Sequence, residues 1–282
     1  MTDIGKESPK YDHIQRTGNQ QREPEIISMQ IVSVSNVSPT VKHLILLTTE
    51  NPVPISFKAG QWVDMMIPGV DTVGGYSICS SPAHLRETGE FSLCVKNSDH
   101  PPAHWVHNEC KPGCTVSIRI GGDFFLDTNV TTTGKTILLV AGGVGINPLF
   151  SIITQLNEHQ KSVGNHIAKY CLMYSAKTED ELLFKDSLDQ IASQDQTFSV
   201  QYFLTDNEVE VKKCHQEDVK LGRITKADIE SCLTNNLNVN VGSEEANKQT
   251  IVYLCGPPPM IEQVREIFSA LGIEKVFYEK WW

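Results

Sequence analysis

The segment ILLVAGGVGINPLFSII, residues 137 to 153, runs an apolar strand pattern straight into Gly142, Gly143 and Gly145, with Pro148 where a helix would begin. Glycine lets the backbone pass close to a ligand. The helix start beyond offers unpaired N–H groups and the positive end of a dipole, a combination suited to a pyrophosphate. The spacing is GGxGxxP rather than GxGxxG, so a tight turn without a ligand is the competing reading. A second segment, YLCGPPPM from Tyr253 to Met260, ends a late apolar run at Cys255-Gly256 and follows it with three prolines that lead into a helical pattern. In a doubly wound sheet the carboxyl ends of the strands form the binding crevice, so both segments point at one cleft, with Cys255 facing it. A cysteine at a strand end is also ordinary packing.

The elements that must position these residues fall into two kinds. From Glu23 to Gly122 the chain reads as short strands, IISMQIVSVS, KHLILLTT, QWVDMMI, YSICS, EFSLCVK and TVSIRI, separated by turn clusters such as Pro68-Gly69 and Lys111-Pro112-Gly113. That rhythm predicts an all-β sandwich or barrel. From Lys135 onward, TILLVAG, AKYCLMYS, FSVQYFL and TIVYLCG alternate with apolar residues at helical spacing, such as Met260, Ile261, Val264, Ile267, Phe268 and Leu271. Strand and helix in alternation predict a doubly wound parallel sheet. The expected division is a flexible tail at 1–24, a β domain at 25–130 and an α/β domain at 131–282, with the linker Thr128 to Lys135 between the last two. A polar insertion, Thr205 to Gln249, carries one short helix candidate at Lys226 to Leu233 and exceeds an ordinary strand-to-helix connection.

The 282 residues accommodate two domains. Lys plus Arg number 24 and Asp plus Glu 34, a net charge of −10, without a basic block. Nucleic acid and anionic membrane surfaces are therefore not expected partners. The longest apolar stretch, Ile137 to Ile146, is broken by glycines and falls well short of the ~20 residues of a membrane span. The first 24 residues have no apolar core of a secretory signal, and Asp3, Glu7 and Asp12 argue against an acidic-poor mitochondrial presequence. A soluble intracellular protein is expected, mitochondrial or cytoplasmic, with its eight cysteines as reduced thiols.

With FKAGQWVDMMIP at 57–68, GGYSICSSP at 74–82 and SAKTEDELLF at 175–184, the two cleft segments resemble the ferredoxin-NADP reductase superfamily over about residues 25 to 282. The resemblance implies a six-stranded antiparallel FAD-binding barrel followed by a Rossmann-like NAD-binding domain. It implies hydride transfer from NAD(P)H to FAD, then electron transfer to an acceptor that the sequence does not identify. Tyr76 would lie against the flavin and Ser77 near its reactive nitrogen. Gly142, Gly143, Val144, Gly145, Ile146 and Asn147 would embrace the dinucleotide pyrophosphate. Cys255, Gly256 and Pro257 would flank the nicotinamide. Glu279 falls where many relatives keep a carboxylate and Trp281 where they keep a flavin-stacking aromatic, with Trp282 one residue beyond that pattern. Ser77, Cys255 and Glu279 are the candidate catalytic residues. Lys177, Glu179 and Asp180 follow the second parallel strand, where a cation selects NADP and an acid selects NAD. The resemblance favours NAD, with NADP the alternative.

Two departures from the family pattern matter. Gly74 stands where the family keeps a flavin-phosphate arginine, and His100-Pro101-Pro102-Ala103 stands where it has Gly-x-x-Ser at a helix start. His100, His104 and Arg119 are the nearby groups that could replace the lost charge. The rival reading is a nucleotide-binding sensor or partner module that has lost flavin chemistry. A flavin-free dehydrogenase would need a substrate-side acid or base, for which the β-rich half offers no clear candidate. The run His100, His104, His107, Cys110 and Cys114 raises a metal site. Pro112-Gly113 should end any helix before Cys114, so no metal is assigned there. No iron–sulfur spacing occurs, so the acceptor is expected to be a separate molecule.

Overall fold

A computed structural model of the chain describes residues 13–48, 55–127, 135–163, 169–206 and 219–281. The 128–134 part of the expected linker and the central stretch 207–218 of the insertion lie outside the described residues, as does Trp282.

A four-residue helix, α1 (His13–Arg16), precedes six strands, β1 (Ile27–Ser38), β2 (Val41–Leu47), β3 (Trp62–Met66), β4 (Gly74–Ser77), β5 (Glu90–Lys96) and β6 (Thr115–Gly121). They pair antiparallel in the order β4-β3-β6-β1-β2-β5. The sheet closes on itself just past β4, where Ile78 bridges Leu93 and the Cys79 N–H donates to the Ser92 carbonyl at 2.9 Å. Alternating inward positions, among them Met29, Ile31, Leu44, Leu46, Val63, Met65, Ile118 and Ile120, fill the barrel. Two short helices, α2 (Pro82–Thr88) and α3 (Pro101–Asn108), sit on its connections.

The second sheet is parallel, in the order β10-β9-β8-β7-β11-β12, built from β7 (Thr136–Gly142), β8 (Lys169–Ala176), β9 (Phe198–Leu204), β10 (Val219–Leu221), β11 (Thr250–Gly256) and β12 (Val276–Lys280). Its central strands are buried on both faces, which is why they read as unbroken apolar runs. Ile137, Leu139 and Ala141 face α4 (Ile146–Val163) and α5 (Lys185–Gln194). Leu138 and Val140 face the opposite layer, which holds α6 (Lys226–Ser231) and α8 (Pro258–Ala270); α7 (Glu244–Gln249) lies between these two in the chain. The six-stranded antiparallel barrel and the doubly wound parallel sheet are as expected.

The insertion is less polar in effect than in composition. Ile224, Ile229, Leu233, Leu237 and Val239 are buried on the sheet face, and a capping box between Thr225 and Asp228 starts α6. The apolar positions are too widely spaced among polar residues to register as an element.

The stretch read as a flexible tail is anchored from His13 onward. Arg22 bridges Gly121 in the barrel, and its guanidinium reaches Asp64 at 2.8 Å. The physical reason is Asp64 itself: a buried carboxylate on a barrel strand needs cations, and Arg119 from β6 supplies only part of them.

The two halves also share a core. Val41, Ala59, Cys79, Cys94, Phe124 and Leu126 join Leu149, Ile152, Ile153 and Leu156 of α4 in one apolar cluster. Polar contacts among the described residues also cross this seam, including Asn147 to the Cys94 carbonyl at 2.9 Å, Ser151 to the Ser80 carbonyl at 2.7 Å, Ser81 to Glu158 at 2.6 Å and Thr40 to Glu181 at 3.2 Å. The described part of α4, the helix that starts at the glycine loop, is thereby fixed against the barrel.

Candidate active site

Between β7 and α4 the chain makes a single 3₁₀ turn, Gly143–Gly145, and that turn meets the end of β11. A Cβ at Gly145 would fall 2.8 Å from Gly256 Cα, and one at Gly142 would fall 2.9 Å from Pro257 Cδ and 2.7 Å from Met260 Sδ. These two glycines serve chain packing: they let the two cleft segments seat directly on each other. Gly143 is different. It adopts φ +54°, and nothing lies within 4 Å of where its Cβ would stand, so the backbone there is open to a ligand. Val144 is half-buried, Ile146 is buried, and Pro257 caps α8 at the exposed rim. Asn147 is buried. Its amide nitrogen is committed to the Cys94 carbonyl, while its Oδ1 has no hydrogen-bond partner.

Cys255 and Glu279 are register partners in the β11–β12 pair, and both are buried. The Trp281 indole N–H donates to Glu279 Oε2 at 3.1 Å, and the Trp281 backbone N–H donates to the Gly256 carbonyl. Burial pushes the Glu279 carboxyl up to about 8, against the smaller opposing pull of the Trp281 hydrogen bond and of the neighbouring Trp62 indole. Near neutral pH the group is mostly the uncharged acid. Burial, with Glu279 alongside, also pushes the Cys255 thiol well above its ordinary value, so Cys255 is not a thiolate.

Trp62 carries the contact into the barrel. It is fully buried and pairs in register with Ser77, so Ser77, Trp62, Glu279 and Cys255 form a continuous path from one half to the other. The Ser77 hydroxyl is buried without a partner. Tyr76, on the alternate face of β4, folds back over Gly74: a Cβ at Gly74 would fall 2.5 Å from the Tyr76 ring and 3.0 Å from Pro102. The Tyr76 hydroxyl is also buried without a partner, and burial drives its acidity far down.

The structure thus brings together the glycine loop, Cys255, Gly256, Glu279, Trp281 and Ser77. It leaves the Tyr76 ring on the other face, beside α3.

Of the groups that could replace the missing arginine, Arg119 is already committed. Arg119 donates to Asp64 through Nε at 2.9 Å and Nη2 at 2.7 Å, and His104 stands exposed on α3. Pro101 and Pro102 occupy the first two positions of α3, so neither supplies an N–H to an anion. The histidine and cysteine run around α3 does not converge either: His107 Nε2 contacts the Val95 carbonyl at 2.9 Å. A cleft of about 310 Å³ is bordered by Phe57, Lys58 and Ala59 at the start of the 57–68 segment, Pro82 at the end of the 74–82 segment, and Arg86, Phe125 and Gln155; it contains none of the candidate catalytic or cofactor-binding residues.

Asp64 was not legible as a site residue. It is buried, and His13, Arg22 and Arg119 hold its carboxyl down at about 2 against the upward pull of burial. His13 packs edge-on against Trp62 at 4.7 Å, and Gln20 Oε1 accepts from the Trp62 indole at 3.1 Å. A side chain at Gly75 would run into the His13 imidazole. The N-terminal segment therefore covers the outer side of β3 and β4 beside Ser77.

Against this geometry, the family model for the oxidoreductase NAD-binding domain matches residues 139–266, from β7 into α8. The oxidoreductase NAD-binding domain-containing protein 1 of Danio rerio is 40% identical over 279 residues, covering 97% of this chain and 98% of that protein. The chain belongs to that family. Its fold is similar to the flavohem-like FAD/NAD binding domain of nitric oxide dioxygenase from Vibrio cholerae, with TM-score 0.69 at 21% identity over 90% of this chain and 98% of that one. It is also similar to a ferredoxin NADP+ reductase from Neisseria gonorrhoeae determined with bound FAD and NADP, with TM-score 0.67 at 19% identity over 92% of this chain and 99% of that one. These likenesses cover 90% or more of this chain, so it shares their fold across both sheets.

Proposed function

We propose that the chain is an NAD(P)H-dependent flavin oxidoreductase that takes hydride from a nicotinamide held at the parallel sheet onto FAD held at the barrel. Electrons then pass to a separate acceptor. The working division is barrel at 25–130 and dinucleotide domain at 131–282. The observation that carries this reading is Glu279: a buried, mostly uncharged carboxylic acid that lies against Cys255 on one side and Trp62 on the other. Perturbed acids at a junction between two binding halves are expected where a reaction occurs.

The fit of the two cofactors differs along their length. Gly143, open and in the left-handed region, suits the dinucleotide pyrophosphate, with Val144, Gly145, Ile146 and Asn147 shaping the loop around it. The buried Ser77 hydroxyl without a partner suits the polar edge of a flavin ring, with Glu279 and Trp281 completing its surroundings, whereas the Tyr76 hydroxyl lies on the opposite face of β4. Gly74 and the two prolines of α3 do not fit the flavin's phosphate end as relatives hold it. When bound, the flavin supplies the chemistry that accepts two electrons and releases them singly.

The chain's own contribution is placement and a dry site. Cys255 and Gly256, at the end of β11, would flank the nicotinamide. The Ser77 hydroxyl is free to donate a hydrogen bond, and Glu279 keeps a proton at its carboxyl near neutral pH, held in orientation by Trp281. Burial of Ser77, Cys255 and Glu279 excludes water, which protects hydride transfer from side reactions. Lys177 is exposed beyond β8, with Glu179 and Asp180 close behind it in the chain, and NAD is the proposed nicotinamide, with NADP the alternative.

The test is turnover. Purified protein supplied with FAD, NADH and an artificial one-electron acceptor should reduce the acceptor, and Cys255→Ala or Ser77→Ala should depress the rate. Calorimetric binding of NADH without any turnover would contradict the proposal. That outcome would favour the second reading, a nucleotide-binding sensor, for which the folded-back Tyr76 ring, Gly74 and the proline start of α3 speak.

A further inference from the structure

The barrel's closing seam gathers three soft donors from three parts of the chain. His43 lies on β2 directly opposite Cys94 of β5, and Cys79 follows β4 at the point where the barrel closes on β5. One ligand atom from each, an imidazole nitrogen and two sulfurs, lies within 4.8 Å of the others. Cys79 and Cys94 are buried and His43 is half-buried, so the imidazole is the donor nearest solvent. Among the described residues this is the one group of three such side chains so arranged.

We propose that His43, Cys79 and Cys94 form a binding site for a zinc-class divalent cation that staples the barrel's closure. The donor set selects the ion. Two sulfurs and an imidazole favour zinc and its soft or borderline neighbours, and the absence of a carboxylate from the group disfavours calcium and magnesium. The charge balance suits the location. Binding displaces one proton from each thiol to solvent, and the +2 ion, two thiolates and neutral imidazole sum to zero, so no net charge is buried. The three donors leave the fourth position of a tetrahedral ion to a water molecule, and their spacing is close to what such an ion needs. With metal–sulfur bonds of about 2.3 Å and metal–nitrogen bonds of about 2.0 Å, donor atoms stand roughly 3.5–3.8 Å apart, a closure of about 1 Å from the observed limit. The Ser92 hydroxyl, 3.2 Å from Cys79 Sγ, is placed to donate to the thiolate from outside the coordination shell. Ordinary core packing would account for two adjacent thiols. It gives no reason for an imidazole to join them.

The position gives the ion a mechanical role. An isolated bridge, which includes the Cys79 N–H to Ser92 carbonyl bond, and a Ser92 N–H bond to the Ser80 hydroxyl at 3.0 Å join the strands here, and a metal would tie β2, β5 and the end of β4 together at that joint. The Cys94 carbonyl accepts from Asn147 of the glycine loop and the Ser80 carbonyl from Ser151 of α4, so the staple also fixes the surface on which the dinucleotide half is seated. The inference does not depend on flavin chemistry.

Cobalt(II) substitution tests it on the full-length chain. Metal-free protein titrated with Co²⁺ should develop a near-ultraviolet sulfur-to-cobalt charge-transfer band that saturates at one equivalent and is displaced by Zn²⁺. X-ray absorption of the zinc form should show two sulfurs and one imidazole. Cys79→Ser and Cys94→Ser should each weaken or abolish the band, whereas Cys114→Ser should keep it. The proposal is overturned if the wild-type protein gives no saturating band, if the band persists in both seam variants, or if peptide mapping finds Cys79 and Cys94 joined as a disulfide. The wild-type titration and absorption spectrum decide the matter even where a variant fails to fold.

Discussion

Glu279 of β12 stands opposite Cys255 of β11 in the parallel ladder, and its carboxyl lies against the barrel's Trp62 indole. This pairing sets an uncharged acid where the two halves of the molecule meet. It makes the junction sensitive to pH in a specific direction. The folded-state value, about 8, lies above the ordinary carboxylate value, so the folded chain binds more protons than the unfolded chain between roughly pH 4.5 and 8. Stability from this group is fully present below that window, declines as pH rises through it, and is flat above. The expected slope is at most about 1.4 kcal/mol per pH unit. Thermal melts from pH 5 to 9 should show the decline in the wild type. Glu279→Gln, neutral throughout, should remove that component. Equal pH dependence in the two proteins would contradict the assignment.

Ser77 separates function from stability. Its hydroxyl is buried without a partner, so Ser77→Ala removes an unsatisfied polar group and should leave Tm unchanged or slightly raised. Turnover should fall by about 10- to 100-fold, the scale of losing one donor at a reacting centre. A Tm loss with unchanged turnover would reverse the assignment.

The glycine loop should divide by position. In Gly145→Ala the new methyl meets the backbone of Cys255 and Gly256, which must move, at a cost of about 1–3 kcal/mol or more. In Gly143→Ala the methyl meets open space and only the positive φ is penalised. Melting curves should therefore show the greater loss for Gly145→Ala. Calorimetry on Gly143→Ala should show NADH affinity weakened by about tenfold, equivalent to ~1.4 kcal/mol.

Asp64 should anchor the N-terminal segment. Asp64→Ala leaves Arg22 and Arg119 without their common partner and should cost about 3 kcal/mol. Residues 13–22 should then become susceptible to limited proteolysis. Because the carboxyl is held down at about 2, its stabilisation is present above the ordinary carboxylate value and is lost as pH falls through about 2. Acid titration of the wild type against Asp64→Asn checks the sign.

Much of the architecture is legible because it rests on local patterns. The apolar run at 136–142 is buried on both faces, and the alternation in IISMQ marks one face of a barrel strand. The convergence of GGVG on CGPP also follows, because parallel strands deliver their carboxyl ends to one edge. What stays hidden depends on pairing between distant residues. Nothing in QWVDMM shows that Asp64 faces Arg119 across a strand pair and Arg22 from the N-terminal segment, so residues 13–22 read as a tail. His43, Cys79 and Cys94 share no motif; only the closure of the barrel makes them neighbours. The histidine-rich run at 100–114 has the closer sequence spacing, yet His107 is turned to the Val95 carbonyl. Gly142 and Gly145 illustrate a different limit: the same glycine signal that marks phosphate binding here also marks backbone packing.

The visible spectrum of purified protein reconstituted with FAD, recorded before and after anaerobic addition of NADH, tests the central claim most directly. The account predicts a flavin spectrum that stays with the protein through gel filtration and is bleached by NADH. A colourless protein that takes up neither FAD nor FMN, or a bound flavin that NADH and NADPH leave oxidised, would contradict it.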